Sequence, residues 1–204
     1  SMHHGIETYL ETNWTSPIQF NIGNSYGWYT ITNDPLYEIR LADNLYKVQS
    51  GKLLLKNFPT TSHPQSVQAF TINYQPSYSL RISYTTLYAS RRAISHDVFR
   101  RSDWVKDNSP TSNSWETLYT PVWAPNQWVS NLFISKSFQI ATQNSKINLR
   151  LTSSIRNLLN ASIPSLIFEQ SRYDYKNFSL QKFPPKYIYD LGRTYTIGLQ
   201  VSLL

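Results

Sequence analysis

Apolar residues recur at every second position along most of this chain, and the three-and-four spacing of an amphipathic helix is nearly absent. A period of two sends alternate side chains to opposite faces of an extended strand. Seven such segments are legible, at about 5–15, 18–30, 64–75, 78–90, 126–140, 146–158 and 191–204. The second sets Ile18, Phe20, Ile22, Tyr26 and Trp28 against Gln19, Asn21, Gly23, Ser25 and Gly27. The last sets Tyr195, Ile197, Leu199, Val201 and Leu203 against Thr196, Gly198, Gln200 and Ser202. In the fifth, Lys136 interrupts the apolar side.

The connections alternate in length, with short turns near 16–17, 75–79 and 141–145 and long excursions near 31–63, 91–125 and 159–188. All short turns therefore belong to one end of the sheet. Two architectures give such strands: a sheet with one buried face in a soluble protein, and a membrane barrel with its apolar face outward. The polar face here is mostly Asn, Gln, Ser, Thr, Gly and Tyr, which suits an enclosed polar lumen better than bulk water. Strands of about 11 to 15 residues exceed the usual 5 or 6 and match a tilted crossing of a bilayer. Tyr and Trp near strand ends (Trp14, Tyr26, Trp28, Tyr78, Tyr88, Trp128, Tyr187, Tyr189) suit interfacial girdles. The expected fold class is all-β: antiparallel transmembrane β-barrel strands with short periplasmic turns and long extracellular loops.

An odd number of strands cannot close alone into an antiparallel barrel. Either the chain is part of a larger barrel, or a hairpin in 36–58, where "LYEIRL" and "KLLLKNF" look strand-like, raises the count to eight in a small complete barrel. A secreted soluble β-sandwich that binds carbohydrate through exposed Trp and Tyr is the alternative from a different class.

Composition narrows the chemistry. Among 204 residues there is no Cys, which removes disulfides and thiolate sites, and no run approaches the roughly 18 apolar residues of a spanning helix. No basic segment followed by an apolar one opens the sequence, so no signal peptide is visible. The net charge of +7 is dispersed over strands and loops instead of forming a basic face interleaved with aromatics, which argues against nucleic acid. No G-x-S-x-G, phosphate loop or H-E-x-x-H occurs, so neither catalysis nor a cofactor is implied. His3, His4 and Glu7 are too few and too poorly preorganised for a metal site.

The order of segments resembles the C-terminal part of TonB-dependent outer-membrane receptors of the Bacteroidetes type. The opening "GIETYLETNW" is similar to that family's "GIE" strand; "YGWYTI", the stretch from "LLLKNF" to "ASRRAI", and "VSNLFISKSFQI" follow in order. "INLRLTSSIRNLLNA", "FEQSRYDY" and "KFPPKYIYDLGRTYTIGLQVSLL" resemble its closing strands, although the family usually ends on an aromatic residue and this register ends at Leu203. The resemblance implies a bacterial outer-membrane location and a 22-stranded barrel around an N-terminal plug. It also implies import of scarce nutrients (iron chelates, cobalamin, glycans or peptides) energised through TonB. The whole chain, 1–204, would be the C-terminal barrel segment, without the plug or the TonB-contacting segment. Its partners would be outer-membrane lipid, lipopolysaccharide, and the rest of the barrel with its plug.

Three groups of residues follow as candidates. Glu7, Glu11, Arg81, Arg150 and Arg156 share the polar face and would line the lumen, either along a substrate path or as structural ion pairs on the inner wall or contacts to the plug. The basic pairs Arg91-Arg92 and Arg100-Arg101, with Trp104 nearby, fall in the second long loop, where they would meet lipopolysaccharide phosphates or an anionic substrate, or else pair with Asp97 and Asp103. Tyr195, Ile197, Leu199, Val201 and Leu203 would face lipid in the final strand.

Overall fold

The computed structural model describes residues 1–12, 17–40, 47–61, 63–141, 146–172, 174 and 180–203. In chain order the strands are β1 (Met2–Thr12), β2 (Ile18–Thr30), β3 (Leu36–Arg40), β4 (Lys47–Lys52), β5 (Ser66–Ser77) and β6 (Leu80–Ser90). A 3-10 turn (Phe99–Arg101) and two short helices, α1 (Asp103–Asp107) and α2 (Ser112–Tyr119), come next. They are followed by β7 (Gln127–Ala141), β8 (Lys146–Arg156), β9 (Pro164–Phe168), β10 (Lys186–Tyr189) and β11 (Thr194–Leu203).

Seven strands form one antiparallel sheet in the order β1-β2-β5-β6-β7-β8-β11. They correspond to the seven expected segments, and the fold is all-β. The first strand begins earlier than its expected span, and the rest of that span, with Trp14, lies outside the described residues. The connections 31–65, 91–126 and 157–193 all leave the same end of the sheet. A hairpin forms within 36–58 as β3 and β4, but its second strand is Lys47–Lys52, and the strand-like "KLLLKNF" (52–58) runs beyond it into a turn; the pair is a separate two-stranded sheet, so it does not raise the main sheet to eight strands. A second small sheet pairs β9 with β10. The apolar face of the main sheet lacks the second layer of a sandwich: Ile6, Leu10, Ile197 and Leu199 stand exposed on it.

The main sheet is open: β1 and β11 are its edges and no closed barrel forms among the described strands. Its hydrogen-bonded rows run oblique to the strand ends. One row passes from Thr12 through Phe20, Ile72, Tyr84, Leu132 and Ile155 to Tyr195. It thus begins at the last residue of β1 and ends at the second residue of β11. Each step across the sheet climbs about one and a half residues, roughly 5 Å of rise against about 4.8 Å of lateral spacing, which is a strand tilt near 45°.

The hydrophobic core lies in the long connections, not under the sheet. Leu53, Leu55 and Phe58 pack with Ile31, Tyr37 and Tyr119; Val105 and Leu118 with Phe99 and Trp115; Ile94, Ala124 and Ile167 with Val122. The helices of this loop crown escaped the periodicity reading because five and eight residues are too short to show a 3.6 repeat. Their starts are capped by side chains: Ser102 accepts from the Val105 N–H and Thr111 from the Ser114 N–H. The accessible surface is 13774 Å², whereas a compact monomer of 23.8 kDa exposes about 9,900 Å². Exposed apolar residues of the sheet, among them Ile6, Leu10, Ile197 and Leu199, contribute to that excess.

Candidate functional site

The two faces of the sheet are chemically distinct over all seven strands. Cross-strand partners place Ile6, Leu10, Phe20, Ile22, Phe70, Ile72, Ile82, Leu132, Ile134, Leu149 and Leu151 on one face. The candidate final-strand residues continue it: Tyr195 lies opposite Ile155, Leu199 opposite Leu151, Val201 opposite Leu149 and Leu203 opposite Ile147. Ile197 is 77% exposed and Leu199 68%. A continuous apolar surface spanning several strands is far larger than the few hundred Å² a soluble monomer ordinarily exposes.

Several polar groups on this face are bonded to each other or reach its margin. The Tyr84 hydroxyl donates to Ser130 Oγ at 3.0 Å, and the Ser130 hydroxyl donates to Thr86 Oγ1 at 3.2 Å. Lys136 bends toward the 78–79 turn, where its Nζ donates to Ser79 Oγ at 3.1 Å while standing 5.9 Å from the Phe138 ring. An ammonium on a long stem can thus reach the wet margin of an apolar band.

Aromatic residues gather on the same face at the loop end. His4 stacks on Trp28 at 5.5 Å, Tyr26 meets Trp28 edge-on at 4.6 Å, and Tyr88 meets Trp128 edge-on at 5.7 Å. Tyr187 and Tyr189 stack on each other at 6.2 Å but sit on β10 in the crown, not on the sheet. Tyr78 lies in the short turn at the opposite end.

Glu7, Glu11, Arg81, Arg150 and Arg156 share the other, polar face, as their alternation requires. They do not pair with each other. Glu7 accepts from the Ser25 hydroxyl at 3.3 Å and Glu11 from the Tyr9 hydroxyl at 3.3 Å. Arg81 donates to Asn73 Oδ1 at 3.5 Å and Arg150 to Ser137 Oγ at 3.4 Å. Arg156 lines a cleft with Asn131, Asn157 and Asp190. His3 and His4, on successive residues of β1, point to opposite faces, which separates His4 from Glu7.

The basic pairs of the second loop are placed very differently from one another. Arg91 is exposed, donates to the Tyr26 hydroxyl at 3.0 Å and stands 5.9 Å from the Trp123 ring. Arg92 donates to the Pro164 carbonyl at 3.0 Å. Arg100 and Arg101 are 2% and 0% exposed, so neither meets solvent, where an anionic headgroup would have to reach it. Arg100 donates to the carbonyls of Gln170 and Arg172. Arg101 forms a two-pronged ion pair with Glu169, donates to the carbonyls of Asp97 and Thr120, and lies 4.9 Å over the Phe58 ring. Its partner is thus neither Asp97 nor Asp103 through their carboxylates; Asp103 instead accepts from the Lys52 and Trp104 N–H groups. Trp104 stacks on Phe99 at 5.8 Å and is half exposed.

Arg101 therefore joins all three long connections: Phe58 from the first, its own second, and Glu169 from the third. His96 sits beside it, edge-on to Phe58 at 4.7 Å. Burial, and then the Arg101 charge, lower the His96 pKa below its ordinary value. Sequence reasoning missed Glu169, His96 and Phe58 because their contacts join positions far apart in the chain, and no local spacing signals such a meeting.

No helix among the described residues is long and apolar enough to cross a membrane. The class defined by these observations is an open, antiparallel, seven-stranded meander with one apolar face, one polar face and a packed loop crown. The chain matches no protein-family model, no curated protein and no solved structure.

Proposed function

We propose that the chain is a wall segment of a bacterial outer-membrane β-barrel, with the apolar face toward lipid, the polar face toward the lumen and the loop crown outside the cell. The observation that carries this reading is the uncovered apolar face, continuous over seven strands and fringed with Trp and Tyr at the loop end. Its dimensions agree. From Trp128 to Phe138 along β7 is about 34 Å, and a tilt near 45° reduces that to about 24 Å along the bilayer normal, close to the roughly 25 Å apolar band of such barrels.

The open edges fit a segment better than a complete barrel, because unpaired backbone groups are costly in hydrocarbon. Strands β1 and β11 both run from the loop end to the turn end. In an antiparallel ring neighbouring strands run oppositely, so the remaining wall must supply an odd number of strands whose own edges run from the turn end to the loop end; a second copy in the same orientation offers the wrong edge direction, and two copies alone cannot close one. The resemblance to TonB-dependent receptors supplies such a wall, since seven strands of a 22-stranded barrel leave fifteen. In that setting this chain is a passive scaffold for energised nutrient uptake, and the plug and TonB contacts belong to the preceding part of the receptor.

Single-Trp variants refolded with brominated lipid test the orientation. Trp28 and Trp128 are expected to be quenched, and Trp104, Trp115 and Trp123 to be spared. A chain that stays soluble and monomeric without detergent and unfolds cooperatively would overturn the membrane reading. The genomic sequence upstream of Ser1 tests the receptor assignment: a plug domain is expected there, and an unrelated gene would refute it.

A further inference from the structure

We propose that the turn end of the polar face carries a binding site for a small ligand with two or more oxyanion groups, held between Arg81 on β6 and Arg150 on β8. The two residues flank β7: Arg81 lies opposite Ser135 and Arg150 opposite Ser137. That register separates their Cα atoms by about 12 Å, within the combined reach of two guanidinium side chains converging on one ligand.

Both line a cleft of about 280 Å³ with Tyr78, Ser135, Ser137 and Thr152. It adjoins a cleft of about 540 Å³ that shares Gln75, Tyr78 and Arg81 and reaches Gln19 and Asn73. These volumes suit a small molecule. The surrounding hydroxyls and amides supply neutral hydrogen-bond partners.

Charge decides the sign of the ligand. No carboxylate lines either cleft. Arg40–Glu38 and Arg101–Glu169 are ion pairs of the crown, away from both clefts. Glu7 and Glu11 lie on β1, three strands from Arg81. The segments 13–17 and 142–145, which follow β1 and β7, contain no Asp or Glu in their sequence, while Lys136 and Lys146 add positive charge near this end. Arg81 and Arg150 make only long hydrogen bonds to neutral acceptors, at 3.5 and 3.4 Å. A guanidinium has five donors in a planar fork suited to phosphate or carboxylate, so most of that capacity faces the cleft. The site belongs to the polar face irrespective of what covers the apolar one.

Calorimetric titration of the refolded full chain with pyrophosphate, and separately with citrate, tests the site and distinguishes phosphate from carboxylate recognition. Saturable binding of at least one is expected. R81Q and R150Q should each weaken it about tenfold, and R81K, which keeps the charge but loses the fork, by less. R156Q, which alters another cleft on the same face, should leave it unchanged. Circular dichroism and protease protection, compared with the parent chain, confirm that each variant is folded. Absence of saturable binding of both probes to folded chain, or equal weakening by R156Q, which would indicate only diffuse charge, overturns the proposal. If the chain proves soluble without detergent, the same titration in buffer still reads the site, so failure of the membrane reading and failure of this one are separately visible.

Discussion

Replacing Glu169 by Gln removes one charge from a pair that is almost wholly buried, with side-chain exposures of 0% for Arg101 and 2% for Glu169. The shape is conserved, but the guanidinium loses its counter-charge while remaining far from water. Breaking one partner of a buried pair costs about 3–5 kcal/mol. The loss is local to the crown, because the hydrogen-bond, ion-pair and ring partners of the Arg101 side chain, Phe58, Asp97, Thr120 and Glu169, all belong to it. The Leu54 N–H donates to the Arg101 carbonyl, and the Ser95 and Glu169 N–H groups form the seam between the second and third connections. Hydrogen exchange at these three amides should accelerate by roughly 150- to 5,000-fold in E169Q, the same free energy expressed as an opening equilibrium. Amides in the middle of β7 should be unaffected. A second variant, R101M with E169L, replaces the pair by apolar side chains and should recover most of the protection. Acceleration of less than threefold in E169Q would refute the keystone role. A double variant as open as the single one would show that packing geometry, not charge, holds the crown.

Other outcomes follow from the same coordinates. His96 is held below its ordinary value near 6.5 by burial and by Arg101, so the crown should be most stable above pH 6.5 and lose stability as pH falls through the lowered pKa; proteolysis of the loops between pH 7.5 and 5 should show this, and H96F should flatten the profile. Ile197→Arg should destabilise the chain in lipid vesicles by about 2–4 kcal/mol, and Thr196→Arg, on the polar face, by little; equal effects in urea titrations would refute the assignment of faces. Lys136→Met should leave folding in lipid unchanged or improve it by about 1 kcal/mol, because the ammonium already reaches Ser79 at the margin of the apolar face; a marked loss would show that its hydrogen bond is structural.

The local pattern was sufficient for the strands and their faces. A side-chain period of two is a property of the extended backbone itself, so Ile197 and Leu199 could be assigned to one face, and Thr196 and Gly198 to the other, before any neighbour was known. The same reasoning placed Arg81 and Arg150 together on the polar side and put Lys136 on the apolar one. The pattern also fixes the parity of each pairing, since shifting any strand by one residue would mix the faces, but a shift of two would not, and the register itself comes from the fold. What the pattern could not supply was everything that depends on chain closure over distance. Arg100 and Arg101 read as exposed loop charges because two adjacent cations usually are; the fold buries both, turning one against carbonyls and the other against Glu169. That meeting, like the crown core of Leu53, Phe58, Val105, Leu118 and Ile167, joins residues from different connections with no shared periodicity. Short-range periodicity determines which way a side chain points, whereas burial and pairing are settled by which distant segments the tertiary fold brings against it.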